Sequence, residues 1–250
     1  MNETSERPLL EVCLSPALLH LYDTQGAVVV IIDVFRATST IAAALHNGAA
    51  RVVPVASVAD CISCGLSTEN SITAGERDGK VAEGLEYGNS PLEYPTSFVQ
   101  GKTLVLTTTN GTRLLHMVKG AAEIITGSFL NLSAVCDFLK GQNRKVILGC
   151  AAWKDRFNLE DTLFAGAVAE RIRSHFSIKD DSARAAIHLH QQAKAATKGD
   201  SGYIRFLKDS SHYERLSRFG LEKDMEYCTT PDLHPVVPIL HGSDLIRHTA

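Results

Sequence analysis

Near the start of this chain, a strand that is predicted to be buried on both faces leads directly into a turn rich in charged and hydroxyl residues. Val28–Ile32 is a run of five apolar, mostly β-branched residues, which is typical of a strand covered on both faces. An acid, a base and three hydroxyl residues follow between Asp33 and Thr40, and Ile41–Leu45 continues as a predicted helix. Ligands of open α/β folds bind where the carboxyl ends of strands meet such helices. The junction therefore predicts an anion or metal site.

The same pattern occurs twice more. A predicted strand at 103–107 leads through Thr107–Arg113 into a predicted helix, and a predicted strand at 145–150 precedes a helix that opens with Glu160 and Asp161. We expect the three junctions to share one edge of one sheet. For each single junction an alternative stays open, because helix caps and loops also need polar residues.

Strands and helices alternate along most of the chain, which indicates an α/β fold with helices on both faces of a largely parallel sheet. The strand at 51–55 is expected to pair in parallel with the first strand. Residues 71–97 are predicted to form a long functional loop, and 232–239 an extended edge segment. No shift in composition marks an internal boundary, so 1–250 is interpreted as a single domain. The remaining predicted elements are a strand at 122–126 and helices at 38–47, 57–66, 111–119, 131–140, 160–174, 183–196 and 212–218.

Composition excludes several classes of protein. The net charge is −3 and no lysine- or arginine-rich run is present, which argues against a nucleic-acid binder. Met1–Pro8 is polar, and no apolar run approaches the ~20 residues of a membrane span, so we expect a cytoplasmic protein. Cys61 and Cys64 form a Cys-x-x-Cys pair, but a structural zinc usually needs a second pair, and helical packing of the thiols is the favoured interpretation.

Common phosphate and hydrolase motifs are missing: the sequence has no complete Walker A loop, Gly-x-Gly-x-x-Gly fingerprint, Gly-x-Ser-x-Gly elbow or His-Glu-x-x-His pair. Six short motifs instead stand in an order that resembles the 2-phosphosulfolactate phosphatase family, also called the ComB family. These motifs are Asp33–Thr40, Gly75–Arg77, Gly88–Glu93, Thr107–Thr112, Gly127–Asn131 and Leu159–Asp161, followed by Ser211, His212, Leu216, Gly220, Asp224 and Cys228.

The resemblance implies magnesium-dependent hydrolysis of a small anionic phosphate ester, 2-phosphosulfolactate, in coenzyme M biosynthesis. It also implies a three-layer α/β/α sandwich around a largely parallel or mixed sheet, and it leaves a homodimer open. Family members usually have Gly-Phe-Asp before the Gly88 motif, where this chain has Gly84-Leu85-Glu86. A phosphoryl-transfer enzyme and a non-catalytic phosphometabolite-binding protein are the competing functions.

A phosphate-ester hydrolase needs a cation on the phosphoryl oxygens and donors around them. We expect Asp33 as the first metal ligand, with attack on phosphorus to form an aspartyl-phosphate as its alternative. Glu160 and Asp161 are the next carboxylates, and their alternative is interaction with the helix dipole. The other candidates are Glu76 as a metal ligand, Arg36 and Arg77 as anion clamps, Thr38, Ser39, Asn89, Thr108, Asn110 and Gly111 as donors, and His212 from its motif.

Overall fold

A computed structural model of the chain describes residues 7–77, 79–118, 120–197 and 202–249, so most of the polar N-terminal segment lies outside the described residues. Within those ranges one sheet of ten strands runs in the order β1–β8–β2–β7–β9–β10–β3–β6–β4–β5. The strands are β1 Leu10–Cys13, β2 Val28–Ile32, β3 Arg51–Pro54, β4 Ser71–Arg77, β5 Lys80–Val81, β6 Thr103–Thr107, β7 Glu123–Gly127, β8 Val146–Cys150, β9 Pro238–His241 and β10 Asp244–Arg247.

The sheet consists of two parallel parts joined by a C-terminal hairpin. Strands β1, β8, β2 and β7 are parallel to one another, as are β3, β6 and β4. The β9–β10 hairpin lies between the parts and pairs antiparallel with β7 and β3. The expected pairing of β3 with β2 is therefore wrong, because β7 and this hairpin, which is more than 180 residues away from β3 in sequence, lie between them. The expected edge segment at 232–239 is likewise wrong, since β9 is an interior strand.

Helices cover both faces of the sheet, which confirms the three-layer α/β/α class. The helices are α1 Ala37–His46, α2 Val58–Ser67, α3 Thr96–Val99, α4 Gly111–Met117, α5 Leu132–Lys140, α6 Leu159–Ile172, α7 Asp181–Thr197, α8 Gly202–Leu207, α9 Ser211–Ser217 and α10 Glu222–Cys228. Alternate residues of β2 point to opposite cores: Val28, Val30 and Ile32 pack with helices α5 to α7, whereas Val29 and Ile31 pack with α1 and α4.

The segment predicted as a long loop, 71–97, contains regular structure instead. Its first part is β4, which pairs in parallel with β6, and its end forms the short helix α3. Polar residues alternate with the apolar ones in β4, so the sequence lacks the continuous apolar run that marks the other strands. Ile72 and Ala74 are nevertheless buried. Gly75 is needed there because an added Cβ would lie 2.5 Å from the Thr107 carbonyl oxygen.

The Cys-x-x-Cys pair lies on α2, as its pattern predicts. Cys61 is buried, and its thiol lies 3.3 Å from the Val105 carbonyl oxygen and 3.6 Å from that of Ala74. Both cysteines are free thiols. Among the described residues, no helix has the length and apolar character needed to cross a membrane.

Candidate active site

One cleft gathers the segments that follow β2, β4, β6 and β8, together with helix α9. The three strand–helix junctions that the sequence predicts to share an edge do meet here. The cleft is lined by Asp33, Phe35, Arg36, Glu76, Gly79, Asn89, Thr109, Asn110, Trp153, His212, Arg215, Leu216 and Phe219.

Asp33 is the carboxylate that ends β2, and its backbone is held tightly. The Thr38 hydroxyl donates to the Asp33 carbonyl oxygen at 2.9 Å and accepts from the Asp33 amide at 3.1 Å. Burial raises the pKa of Asp33 to about 7; Glu76 and Glu160 also raise it, whereas His212 lowers it. A cation bound beside this carboxylate would relieve the same unfavourable charge.

Glu160, in the first turn of α6, is fully buried and pairs with His212 of α9. The His212 Nδ1 and Glu160 Oε1 atoms are 2.5 Å apart. Phe35 packs edge-on against the imidazole, with 5.8 Å between the ring centroids. The second carboxylate oxygen, Oε2, is buried without a hydrogen-bond partner. An unpaired carboxylate oxygen inside a protein is costly, and this atom has the chemistry to ligate a cation or to accept a hydrogen bond from water.

Asp161 connects two of the junctions. Its Oδ1 accepts from the Val34 amide at 2.9 Å and its Oδ2 from the Ala152 amide at 3.2 Å. Val34 follows β2 and Ala152 follows β8, so the carboxylate fixes the two loops relative to each other. Burial and then Glu160 raise the pKa of Asp161 well above its usual range.

Arg36 is a buried cation with a dedicated counter-ion. Its Nη1 forms an ion pair with the Oδ2 of Asp224 on α10, and both side chains are less than a tenth exposed. The Ser90 hydroxyl donates to the other Asp224 oxygen at 2.9 Å. Nearby, Asn89 lines the cleft, and its side-chain Oδ1 is buried without a hydrogen-bond partner. The Gly88 motif and α10 thus meet at the guanidinium that we expect to clamp an anion.

Glu76 and Arg77 differ in their placement. Glu76 lines the cleft, but its carboxylate accepts from the Thr109 amide and hydroxyl and from the Gly79 amide at 3.0–3.2 Å. The Arg77 guanidinium donates to the Glu76 carbonyl oxygen at 2.6 Å and to the Thr107 hydroxyl at 3.2 Å, and Arg77 does not line the cleft. The structure therefore gives both side chains contacts that hold β4 against the loop after β6.

The hydroxyl residues that the sequence suggests as donors to a ligand mostly form hydrogen bonds with backbone groups instead. The Ser39 hydroxyl donates to the Val34 carbonyl oxygen at 2.9 Å, as Thr38 does for Asp33. Thr108 accepts from the Thr112 amide through its hydroxyl at 3.3 Å. None of these three hydroxyl residues lines the cleft, whereas Asn110 does.

Gly111 allows close packing behind the site. A Cβ at Gly111 would lie 2.8 Å from the Asp33 Oδ2 atom and 2.9 Å from the Ala37 Cβ atom. Only glycine brings the start of α4 this close to the carboxylate. Glu86, at the position where the family pattern differs, is exposed and is not among the residues that line the cleft.

Sequence analysis missed the wall of the cleft that Trp153, Arg215 and Phe219 form. It also gave no role to Asp224, which lies within the resemblance. Trp153 and Phe219 are isolated aromatic residues in loops, and Arg215 is one of several cations on a helical pattern, so no local signal separates them from surface residues. The spacing of His212 and Arg215, three residues apart on one helix, was the available indication.

The carboxylates at the cleft are too few to enclose a metal ion but match the small number that magnesium needs from a protein. In the ranges that the structure describes, no group of three or more His, Cys, Asp and Glu side chains is arranged to hold a metal ion. Magnesium, however, is usually bound through one or two carboxylates, with water and substrate phosphate completing the octahedron. Asp33 lines the cleft, whereas Glu160 lies behind His212 and is near enough to raise the pKa of Asp33, so these are the two carboxylates that could serve.

Comparison with known proteins identifies relatives over nearly the whole chain. A family model described as 2-phosphosulpholactate phosphatase matches residues 13–243. A protein of Thermotoga petrophila named "Probable 2-phosphosulfolactate phosphatase" is 44% identical over 211 residues, which are 84% of this chain and 88% of the relative. A protein of Synechocystis with the same name is 38% identical over 215 residues, which are 84% of this chain and 87% of the relative.

Proposed function

This chain belongs to the 2-phosphosulpholactate phosphatase family, and we propose that it hydrolyses the phosphate ester of 2-phosphosulfolactate with magnesium. One observation supports the proposal beyond the family: Glu160, whose Oε2 is buried without a hydrogen-bond partner, pairs with His212, and His212 lines the cleft together with Asp33 and Arg36. Carboxylates for a cation and a guanidinium for phosphate therefore lie near each other. A protein that only binds an anion would need the guanidinium but not the carboxylates.

Asp33 and Glu160 are the residues that we propose to hold Mg²⁺. When bound, the ion would neutralise charge on the phosphoryl oxygens as it develops in the transition state. Asp161 acts indirectly, because its oxygens already accept from the Val34 and Ala152 amides. We assign it the positioning of the loops that carry Asp33. Glu76 has a similar positioning role through Gly79 and Thr109.

Arg36 binds the phosphoryl group in this proposal. A guanidinium offers several N–H donors in a plane, and Asp224 takes up one side of it. Fixing the cation in advance lets it stabilise developing charge without reorganisation. The Asn89 side chain, at the same cleft, contributes to orienting the ester.

His212 is the proposed group for proton transfer. Its Nδ1 is engaged by Glu160, which leaves Nε2 to serve the leaving oxygen of the ester as phosphate departs. Water is the proposed nucleophile, and Asp33 orients it. Isotope from heavy-oxygen water that enters the Asp33 carboxylate in a single turnover would instead show an aspartyl-phosphate.

The proposal is tested by phosphate release from a panel of phosphorylated hydroxy acids and sulfonates, with and without magnesium. We expect 2-phosphosulfolactate to be the best substrate and chelation to abolish turnover. Full activity after exhaustive chelation would refute the magnesium assignment, and binding without turnover would favour a non-catalytic protein. Transfer of phosphate to an acceptor other than water would favour a phosphoryl-transfer enzyme. We also propose a cytoplasmic location and a role in coenzyme M biosynthesis, and the role in biosynthesis requires the first outcome.

A further inference from the structure

We infer that the side-chain amide oxygen of Asn89 accepts a hydrogen bond from the water molecule that attacks phosphorus, and so helps to aim that water at the ester. This inference rests on the proposed function and deepens it, because Asp33 alone orients the water there. A water molecule that donates to one acceptor can still rotate about that hydrogen bond. A second acceptor engages its other proton and leaves a lone pair directed at phosphorus.

Asn89 combines burial in the cleft with an unsatisfied acceptor. It lines the cleft and is only 3% exposed. Among the residues that the structure describes, none donates a hydrogen bond to its Oδ1 atom. A buried acceptor without a partner costs free energy, so at a ligand-binding cleft it indicates a partner that arrives with the ligand.

The chemistry of the ligand limits what that partner can be. An ionised phosphate ester presents acceptor oxygens, and so do the sulfonate and carboxylate groups of the proposed substrate. Two acceptors cannot form a hydrogen bond with each other, so the ester itself does not satisfy Asn89 Oδ1. Water and a metal ion are the remaining partners.

The charges around Asn89 favour water over a metal ion. The hydroxyl of the next residue, Ser90, donates to Asp224 at 2.9 Å, and the other oxygen of Asp224 is paired with the Arg36 guanidinium. The charges of Arg36 and Asp224 cancel, and the amide of Asn89 is neutral. This part of the cleft therefore supplies no net negative charge for a divalent cation, whereas a neutral water molecule needs none.

The backbone of Asn89 is fixed before the ester binds. Its carbonyl oxygen accepts from the buried Thr40 hydroxyl of α1 at 2.9 Å. In the preceding residue, the Gly88 carbonyl oxygen accepts from the Tyr94 hydroxyl at 2.6 Å, and the Gly88 amide donates to the Glu93 carboxylate at 2.7 Å. A side chain on a segment held in this way can orient water without reorganisation during the reaction.

The hydrolytic step uses the groups already proposed. The water oxygen forms a bond to phosphorus while the bond between phosphorus and the ester oxygen breaks. One proton of the water passes to Asp33, and the other stays on the new phosphate. The ester oxygen takes a proton from His212 and leaves as a hydroxyl group. Asn89 gains and loses no proton, so its contribution is the orientation of the water.

The first test compares kcat and KM for 2-phosphosulfolactate in three proteins: wild type, Asn89→Leu and Asn89→Asp. Leucine has the same number and branching of side-chain heavy atoms as asparagine but no acceptor, so we expect kcat to fall by about 10²-fold and KM to change much less. Asn89→Asp keeps acceptor oxygens and should retain at least about tenfold more kcat than Asn89→Leu, while its charge raises KM for an anionic ester.

Asn47→Leu is the matched control for loosening of this segment. The half-buried Asn47 amide donates to the Tyr94 carbonyl oxygen at 2.8 Å, and Asn47 does not line the cleft. This variant should lower the urea midpoint of unfolding and leave kcat within about twofold of wild type. Equal losses of kcat in Asn47→Leu and Asn89→Leu would overturn the inference.

Competition with methanol gives a readout that is specific to the nucleophile. Methanol has one hydroxyl proton and can satisfy only one of two acceptors, so the wild type should favour water and form mostly inorganic phosphate. Asn89→Leu has lost one acceptor, and its ratio of methyl phosphate to phosphate should rise by at least about threefold, the effect of one hydrogen bond. An unchanged ratio would contradict the role of Asn89.

Vanadate binding tests the inference even if the wild type hydrolyses no ester, which would refute the proposed function. Vanadate can take five oxygen ligands, one of them in the position of the attacking water, whereas inorganic phosphate stays tetrahedral. We expect Asn89→Leu to bind vanadate at least about tenfold more weakly by calorimetry and phosphate within about twofold of wild type. Equal vanadate affinities in the two proteins, or no vanadate binding by the wild type, would overturn the inference.

Discussion

Glu160 and His212 form a buried pair in which the carboxylate Oε1 lies 2.5 Å from the imidazole Nδ1 while its Oε2 has no partner. The two residues are 52 positions apart in sequence, and their helices bring Glu160 against His212, which lines the cleft. One oxygen of Glu160 thus orients the histidine, and the other is the one that we propose to bind a cation.

We predict that Glu160→Gln abolishes most turnover without unfolding the protein. Glutamine keeps the shape and an acceptor for His212 but removes the charge that a cation needs. We expect kcat to fall by about 10²- to 10³-fold, the range for one lost electrostatic contact in a transition state. Steady-state phosphate release at saturating magnesium measures this fall in kcat, and circular dichroism checks that the variant is folded.

The chain provides a matched control in Glu170 and His190. This pair has the same separation of 2.5 Å between His Nδ1 and Glu Oε2, but His190, unlike His212, does not line the cleft. Glu170→Gln should leave kcat nearly unchanged. A similar loss of activity in both variants would mean that Glu160 acts only through the packing of its helix.

A second prediction concerns the buried ion pair of Arg36 and Asp224. Asp224→Asn leaves a buried guanidinium without its counter-ion, which costs on the order of 3–5 kcal/mol of stability. Urea unfolding monitored by circular dichroism measures this cost, and kcat should also fall because Arg36 loses its orientation. Asp155→Asn, which removes the exposed partner of Arg113, should cost at most about 1 kcal/mol. Equal stabilities of the two variants would refute this account of Arg36.

A third prediction tests the close contact at Gly111. Gly111→Ala places a methyl group 2.8 Å from the Asp33 Oδ2 atom, so the carboxylate or the start of α4 must shift. A small shift of a catalytic group costs about 10²-fold in rate, and we expect kcat to fall by that order. Gly141→Ala, where φ is −76° and an added Cβ would lie 3.4 Å from the Phe138 carbonyl oxygen, should preserve activity. An active Gly111→Ala enzyme would show that the carboxylate tolerates displacement.

The sequence predicts the central strands of this fold but not the hairpin that joins the two parallel parts of the sheet. The apolar runs of β2, β6 and β8 are buried on both faces, so their pattern is unambiguous. The β9–β10 hairpin depends on pairing between distant residues, which no local pattern encodes. The polar candidate residues at the ends of these strands could be predicted because the strands themselves are unambiguous. The contact between Arg215 and Trp153, in contrast, arises only from tertiary packing.

A fourth prediction concerns pH. Burial and the neighbouring His46 lower the pKa of His234 from 6.5 to about 4, and its Nε2 lies 2.6 Å from the Tyr227 hydroxyl. Arg247 adds positive charge near His46, and the two imidazole rings are 4.5 Å apart. The unfolded chain therefore binds a proton between pH 6.5 and 4 that the folded chain excludes.

The corresponding stability is present above about pH 6.5 and is lost as the pH falls toward 4. His234→Gln should reduce this loss by about 1–2 kcal/mol between pH 7.5 and 5, less than the full shift implies because pH 5 still lies above the pKa of His234 in the folded protein. Urea unfolding between pH 7.5 and 5 measures the difference, with the exposed His188→Gln as control. Parallel pH profiles for wild type and His234→Gln would contradict the prediction.

The most direct test of the central proposal is phosphate release from 2-phosphosulfolactate by wild type and Asp33→Asn, each first chelated and then titrated with magnesium. Asp33 lies where β2 ends in the cleft, and asparagine keeps its shape while removing the carboxylate charge. We predict that magnesium restores turnover to the wild type alone, and that the variant stays folded and at least about 10³-fold slower across the titration. Normal turnover by Asp33→Asn, or wild-type turnover that does not depend on magnesium, would contradict the account.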